Sequence, residues 1–250
     1  MPDCQSEMPM IIIGLVHVDN LHGWNLSLNE ATALQLKLAK RISRNDEFES
    51  VRYIAGIDVS AERAKKMGTA AVVVVAFPEL EPVEVALADG ELDFPYIPGY
   101  LSFRETPVVL RAVEKLKITP DLVMVDGQGI AHPRRLGIAS HLGLFVNVPT
   151  IGCAKSPLIG RYEMPLDKEG ASCEVIDRGE VIATSLRTKA GSSPLFISVG
   201  HRISLKSSVS WVMKCLKGYR LPEPTRLAHL AAGGNLKIAG NHLRQGKLNI

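Results

Sequence analysis

Three acidic residues stand where a chain of mixed strands and helices concentrates its chemistry. Asp126 closes the run Leu122-Val123-Met124-Val125, and Gly127 and Gly129 follow it. An uninterrupted apolar run of this length reads as a strand buried on both faces. A polar group at the carboxyl end of such a strand, followed by a glycine loop and a helix, is where open α/β sheets leave a crevice for ligands. Alone, the same residue types also describe an ordinary turn. Asp58 lies inside VRYIAGIDVS, with Ile54, Ile57 and Val59 as its apolar neighbours. An ionised carboxylate within a strand costs stability unless something pairs with it, so Asp58 is either exposed on an edge or a metal ligand. Glu105 stands at a helix entrance. Carboxylates converging from separate elements suit Mg²⁺, which takes one or two of them together with waters and phosphate oxygens. Such a site readies a water and stabilises the leaving oxygen of a phosphodiester.

Other side chains fit the same chemistry. Lys155 follows a short strand region over 145–153, where an ammonium can hold a phosphate or a leaving oxygen. His132 and His229 are candidates to shuttle a proton, although His229 on a mostly apolar helix also reads as a core residue. In DFPYIPGYLSFRETP, Pro95 and Pro98 stiffen the backbone and Gly99 permits a tight turn. Tyr96 and Ile97 are then either tucked into the core or presented as a wedge between bases. Arg104, Arg134, Arg135, Lys155, Arg161, His201 and Arg202 are numerous enough to meet several phosphates, or are a scatter of solvated charges.

The elements that must position these groups follow from periodicity. Residues 28–43 predict a helix, with Leu34, Leu38 and Ile42 as a stripe and Ser27 or Asn29 as cap. Strands are expected over 51–60 and 69–77, with a hairpin partner over 82–88. A helix follows, reaching about Lys117. Ser102 with Glu105 matches a capping box, but Thr106-Pro107 as cap and first helical residue keeps Pro out of the second turn. The second start is preferred and leaves Glu105 just outside the helix. Further helices are expected over 134–144, over 205–217 and after a Thr225 cap, and strands over 174–187 and 195–199. Consecutive strands followed by alternating strands and helices give a mixed sheet flanked by helices, an α/β fold.

Composition bounds the rest. With 250 residues, 46% of them apolar, the chain can bury a real core. A net charge of +3 leaves any nucleic-acid contact to local clustering. Cys4, Cys153, Cys173 and Cys215 are widely spaced, which indicates neither a zinc site nor a disulfide framework and suits a reducing cytosol or nucleus, with a cytoplasmic setting expected. The apolar run Met8–Val16 falls short of the ~20 residues that span a bilayer, and no Lys or Arg precedes it, so no membrane segment or signal peptide is expected. It reads as an added strand or a tail.

Four motifs carry a resemblance. PYIPGYLSFRE (Pro95–Glu105), DGQGIAHPRRLGIASHLGL (Asp126–Leu144), PTIGCAKS (Pro149–Ser156) and LPEPTRLAH (Leu221–His229) are similar to the endonuclease V family, over roughly Trp24 to Ala231. The resemblance implies a ribonuclease H-like fold and Mg²⁺-dependent cleavage, Mn²⁺ being a substitute, of the second phosphodiester bond 3′ to a deaminated base. It matches Asp58, Glu105, Asp126 and His229 to metal-binding positions, Lys155 to the active-site lysine and His132 to a residue near the scissile phosphate. Tyr96 matches the wedge residue, and Ile97, Pro98, Gly99, Gly127 and Gly129 complete the expected substrate-binding set. Tyr100 departs from the aliphatic residue common in the family. The implied partner is inosine-containing DNA, with inosine-containing RNA as the alternative; a lesion binder with little catalysis is a further reading. Residues 1–20 are an extension without a match, residues 21–250 one nuclease domain, and a monomer is expected.

Overall fold

The computed structural model describes residues 16–62 and 66–235. Most of the apolar run Met8–Val16, part of the 61–68 hairpin and the basic tail lie outside them. The first element of the described residues is α1 (Leu28–Ala39), whose start is fixed by a capping box: the Ser27 hydroxyl accepts from the Glu30 amide while the Glu30 carboxylate accepts from the Ser27 amide. Three antiparallel strands follow, β1 (Tyr53–Glu62), β2 (Met67–Ala76) and β3 (Glu81–Glu91). Next come α2 (Leu101–Val113), β4 (Leu122–Val125), α3 (Ile138–Val146) and β5 (Thr150–Ala154). The remainder is β6 (Arg161–Tyr162), β7 (Ser172–Asp177), β8 (Glu180–Leu186), β9 (Leu195–His201), α4 (Leu205–Lys214) and α5 (Glu223–Ala232).

One sheet of nine strands, in the order β3-β2-β1-β4-β5-β9-β8-β7-β6, runs through the described residues. β1, β4 and β5 lie parallel at its centre, and the flanking strands are antiparallel. This is the mixed sheet that the strand pattern predicted.

The pleat sorts alternate residues into two cores. Ala55 and Ile57 of β1, with Val123 and Val125 of β4, pack under α2 and α3. Ile54, Leu122 and Met124 face the other way, toward Leu227 and Ala228 of α5 and Val212 of α4. Leu122 and Met124 are fully buried, and each such side chain stabilises the fold by about 1.5–3 kcal/mol. A four-residue strand with both faces covered is thus what an unbroken apolar run produces.

Three helix starts differ from the sequence expectation. α2 begins at Leu101 after Tyr100, so Glu105 lies inside it and Pro107 is an interior residue. The early start buries Phe103 against Ala31 and Phe94, which offsets the missing amide bond of Pro107, a defect of about 3 kcal/mol in a helix interior. α3 begins at Ile138 rather than Arg134, because the chain makes a turn in which the Arg135 amide donates to the His132 carbonyl with Arg135 at φ +58°. Thr225 is likewise inside α5, which Pro222 precedes as N-cap.

Candidate active site

The register of β1 and β4 decides the geometry. Ile54 lies opposite Leu122 and Ile57 opposite Val125, and the Asp126 amide donates to the Ile57 carbonyl at 3.0 Å. The next residue on each strand is the acidic one. Asp58, within β1, and Asp126, just past β4, therefore stand side by side on adjacent rows, Ile54-Gly56-Asp58 and Leu122-Met124-Asp126, on the face that α5 covers. Both carboxylates are largely buried, 13% and 10% exposed.

α5 delivers His229. It can come this close only because of Gly56: a Cβ there would overlap the Pro224 carbonyl and the Thr225 amide. One turn beyond Thr225, Nδ1 of His229 is hydrogen-bonded to Asp58 Oδ2 at 2.6 Å. Asp58 Oδ1 takes the Val59 amide at 2.8 Å. Lys155, one residue past β5, forms an ion pair through Nζ with Asp126 Oδ2.

Ligand atoms of Asp58, Asp126 and His229 lie within 4.8 Å of one another. Glu105 on α2 is near enough to respond to both aspartates but is not one of the three. Burial raises its carboxyl from 4.5 to about 8, Asp58 and Asp126 push the same way, and Arg104 opposes them. Burial also raises Asp126, with Asp58 adding to it and Lys155 and His229 pulling back. Two desolvated carboxylates held above their ordinary range beside a third form a pocket of negative charge that a hard cation relieves. The donor set, oxygen-rich with one imidazole, fits a divalent ion.

A cleft of about 360 Å³ opens beside Asp126 and Lys155. Tyr96, Ile97, Pro98, Gly99 and His132 line one side, and Gly127, Gln128 and Leu158 take part in the rest. Tyr96 is 66% exposed at the rim. The loop bearing it is rigid, because three donors converge on the Gly99 carbonyl: Gln35 Nε2 at 3.0 Å, His132 Nε2 at 2.8 Å and Arg134 Nη2 at 2.8 Å. Gly99 itself has φ +83°.

Several candidates stand elsewhere than the sequence suggested. Gly129 does not line the cleft; its bare α-carbon faces the Val199 carbonyl of β9, so the glycine serves close strand packing. Gly127 does line it, yet a Cβ there would meet Ile138 rather than open space. His132 is buried with both ring nitrogens engaged, Nε2 on Gly99 and Nδ1 accepting the Arg134 amide at 3.1 Å. Burial lowers it to about 4, so at neutral pH it is an uncharged strut.

Most of the expected phosphate contacts are occupied internally. Arg104 is buried on the Leu92 and Phe94 carbonyls, Arg135 pairs with Asp177 and Glu180, and Arg202 holds Asn147 and Glu47. His201 is buried, with Nδ1 accepting the Ser43 amide. Sequence reasoning missed Gln35, Gln128 and Arg220. It also missed Gly56, although a glycine within a strand pattern signals close backbone approach. Tyr100 is tied to Thr32 through its hydroxyl at 2.7 Å and lies under the Arg134 guanidinium at 4.4 Å, so it braces the loop.

A mixed sheet whose central parallel strands bring two aspartates side by side is the ribonuclease H-like arrangement, here with a cleft of about 360 Å³ beside them. The family model for Endonuclease V matches residues 36–230. An Endonuclease V from Dehalococcoides mccartyi is 50% identical over 217 residues, 87% of this chain and 97% of the relative. The structure of Endonuclease V from Streptomyces avermitilis superposes with TM-score 0.80 at 37% identity, covering 90% of this chain and 98% of that one. Endonuclease V from Ciona intestinalis, in complex with a 23mer DNA containing an inosine followed by a ribo-adenosine, gives TM-score 0.71 at 29% identity over 84% of this chain and 97% of that one. The chain belongs to the Endonuclease V family and is a nuclease. No helix of the described residues is long and apolar enough to cross a membrane.

Proposed function

We propose that this protein is a Mg²⁺-dependent endonuclease that recognises inosine in DNA and cuts the second phosphodiester bond on its 3′ side, as a step of DNA repair. The observation that carries the reading is the meeting of Asp58, Asp126 and His229 within 4.8 Å beside a cleft rimmed by Tyr96. The inosine-containing DNA bound by the Ciona relative supports the choice of lesion.

Asp58, Asp126 and Glu105, with His229, would hold the ion, and Mn²⁺ would serve in place of Mg²⁺. When bound, the ion supplies Lewis-acid stabilisation of the developing oxyanion and lowers the pKa of a water. Lys155, held against Asp126, keeps a positive charge where the scissile phosphate must lie and neutralises part of its charge. His132 keeps the Gly99 loop in register with the Asp126 loop. Tyr96, with Ile97 beside it, fills the gap left by an extruded base, and Pro95 and Pro98 stiffen the loop. Flipping costs a few kcal/mol and costs least for a poorly paired base, which supplies part of the selectivity. The cleft wall near Gly127 supplies the rest by leaving no room for the exocyclic amine of guanine. Residues 21–250 act as one nuclease domain, cytoplasmic and monomeric.

The test is cleavage of matched DNA and RNA strands, each with one inosine, in Mg²⁺. A nick one nucleotide beyond the lesion in the DNA strand is expected. Cleavage confined to the RNA strand would move the substrate to RNA, and an intact strand in both would overturn the reading.

A further inference from the structure

Arg220 lies one residue ahead of the LPEPTRLAH motif, in the segment between α4 and α5, and none of the roles above uses it. Its guanidinium donates to three carbonyls. Nε reaches Ser193 at 2.8 Å, and Nη2 reaches Lys155 at 2.8 Å and Pro194 at 3.0 Å. The ladder between β5 and β9 ends at Ala154 opposite Phe196. The Lys155 carbonyl lies beyond that ladder, and Arg220 takes it up. Arg220 is itself anchored, because the buried Thr188 hydroxyl donates to its carbonyl at 2.6 Å.

We infer that Arg220 is a positioning residue for Lys155: its fork sets where the end of β5, and with it the Lys155 ammonium, stands relative to Asp126 and to the helix that carries His229. The inference deepens the nuclease reading and rests on it for its kinetic arm. Three structural facts point the same way. The three carbonyls come from two chain segments, the end of β5 and the turn entering β9, and the donor comes from a third. That third segment reaches Pro222, the N-cap of α5, two residues later. One side chain therefore joins the mount of Lys155 to the mount of His229, and those two residues pair with Asp126 and Asp58. Arg220 is also close enough to Asp126 for the two charges to interact.

A planar fork can satisfy carbonyls in two directions at once, whereas an ammonium is a point charge on a flexible stem. Arg220→Lys thus keeps the charge near Asp126 and discards the geometry. Groups that orient a reacting side chain typically change activity by about 10–100-fold when removed. For Arg220→Ala and Arg220→Lys alike, kcat on an inosine-containing duplex should fall by that factor, with KM unchanged within about twofold. The decisive comparison is in the Lys155→Ala background, where Arg220→Ala should add less than about a twofold loss, since residues acting through one another are not additive. Wild-type kcat in a folded Arg220→Lys, or a double variant whose loss is the product of the single losses, would overturn the inference.

A measurement that needs no cleavage covers the case in which the nuclease reading itself fails, which a wild type inactive on inosine would reveal. In ¹³C-methylated protein, the Lys155 resonance, identified by its absence from Lys155→Arg, should stand apart from those of surface lysines and move toward them in Arg220→Lys. An unmoved resonance would show that Lys155 keeps its place without the fork. Thermal unfolding of each variant separates loss of the fold from loss of position.

Discussion

Binding of a divalent cation is predicted to expel a proton, and Glu105 is its main source. The Glu105 carboxyl is raised to about 8, first by burial and then by Asp58. At pH 7 about 90% of it is therefore protonated, and at pH 9 about 10%. A carboxylate must be ionised to ligate. Mg²⁺ binding should release about 0.9 proton at pH 7 and about 0.1 at pH 9, with apparent affinity rising about tenfold between them. Asp126 is shifted in the same direction, by burial and by Asp58. Titration calorimetry in two buffers of different ionisation enthalpy measures the number directly. Glu105→Gln should remove nearly all of the release at pH 7. Equal release by wild type and Glu105→Gln would refute the reasoning, because the proton would then come from elsewhere. The same shift sets a sign for metal-free stability. A carboxyl raised in the folded state contributes stability that is present below pH 4.5 and lost as pH rises through 8. Without metal, the midpoint of thermal unfolding should fall on that account from pH 5 to pH 9, and less so in Glu105→Gln.

Further perturbations separate the parts of the site. Gly56→Ala pushes a methyl into the Pro224 carbonyl and should destabilise the fold by about 1–3 kcal/mol while displacing His229; an unchanged melting curve with full activity would contradict the close approach of α5. Tyr96→Ala, at an exposed rim position, should leave stability within ~0.5 kcal/mol and weaken binding of an inosine strand by about 1–3 kcal/mol, read by fluorescence anisotropy in Ca²⁺. Equal affinity would remove the wedge role. His132, lowered from 6.5 to about 4, contributes stability that is present above pH 6.5 and lost as pH falls through 4. That loss is roughly 3 kcal/mol, so acid unfolding should be shallower in His132→Gln. An unchanged acid limb would mean that the ring is not held neutral.

The sequence made the centre of the sheet legible because an unbroken apolar run is a local signal. The runs at Ile54–Asp58 and Leu122–Asp126 each show one acidic residue after apolar ones, and parallel pairing in this register brings the two acids together. What it hid depends on long-range partners. Nothing near His229 announces Asp58, 171 positions away. The arginines read as free cations because their carbonyl and carboxylate partners come from other elements. The start of α2 differs from the expectation because the rule against interior proline weighs only the backbone, whereas burial of Phe103 decides it. Gly129 looked like a ligand-facing residue because a missing side chain does not say which neighbour needs the space; here it is the Val199 carbonyl.

The central claim is that Asp58, within β1, and Asp126, at the end of the parallel neighbour β4, together hold the ion that drives strand scission. It is tested most directly by Mg²⁺-dependent nicking of an inosine-containing duplex by wild type, Asp58→Asn and Asp126→Asn, with Mg²⁺ affinity measured on the same samples. Wild type should nick one nucleotide beyond the inosine, and each folded variant should lose both nicking and ion binding. A variant that still nicks at the wild-type rate, or that loses nicking while binding Mg²⁺ unchanged, would contradict the account.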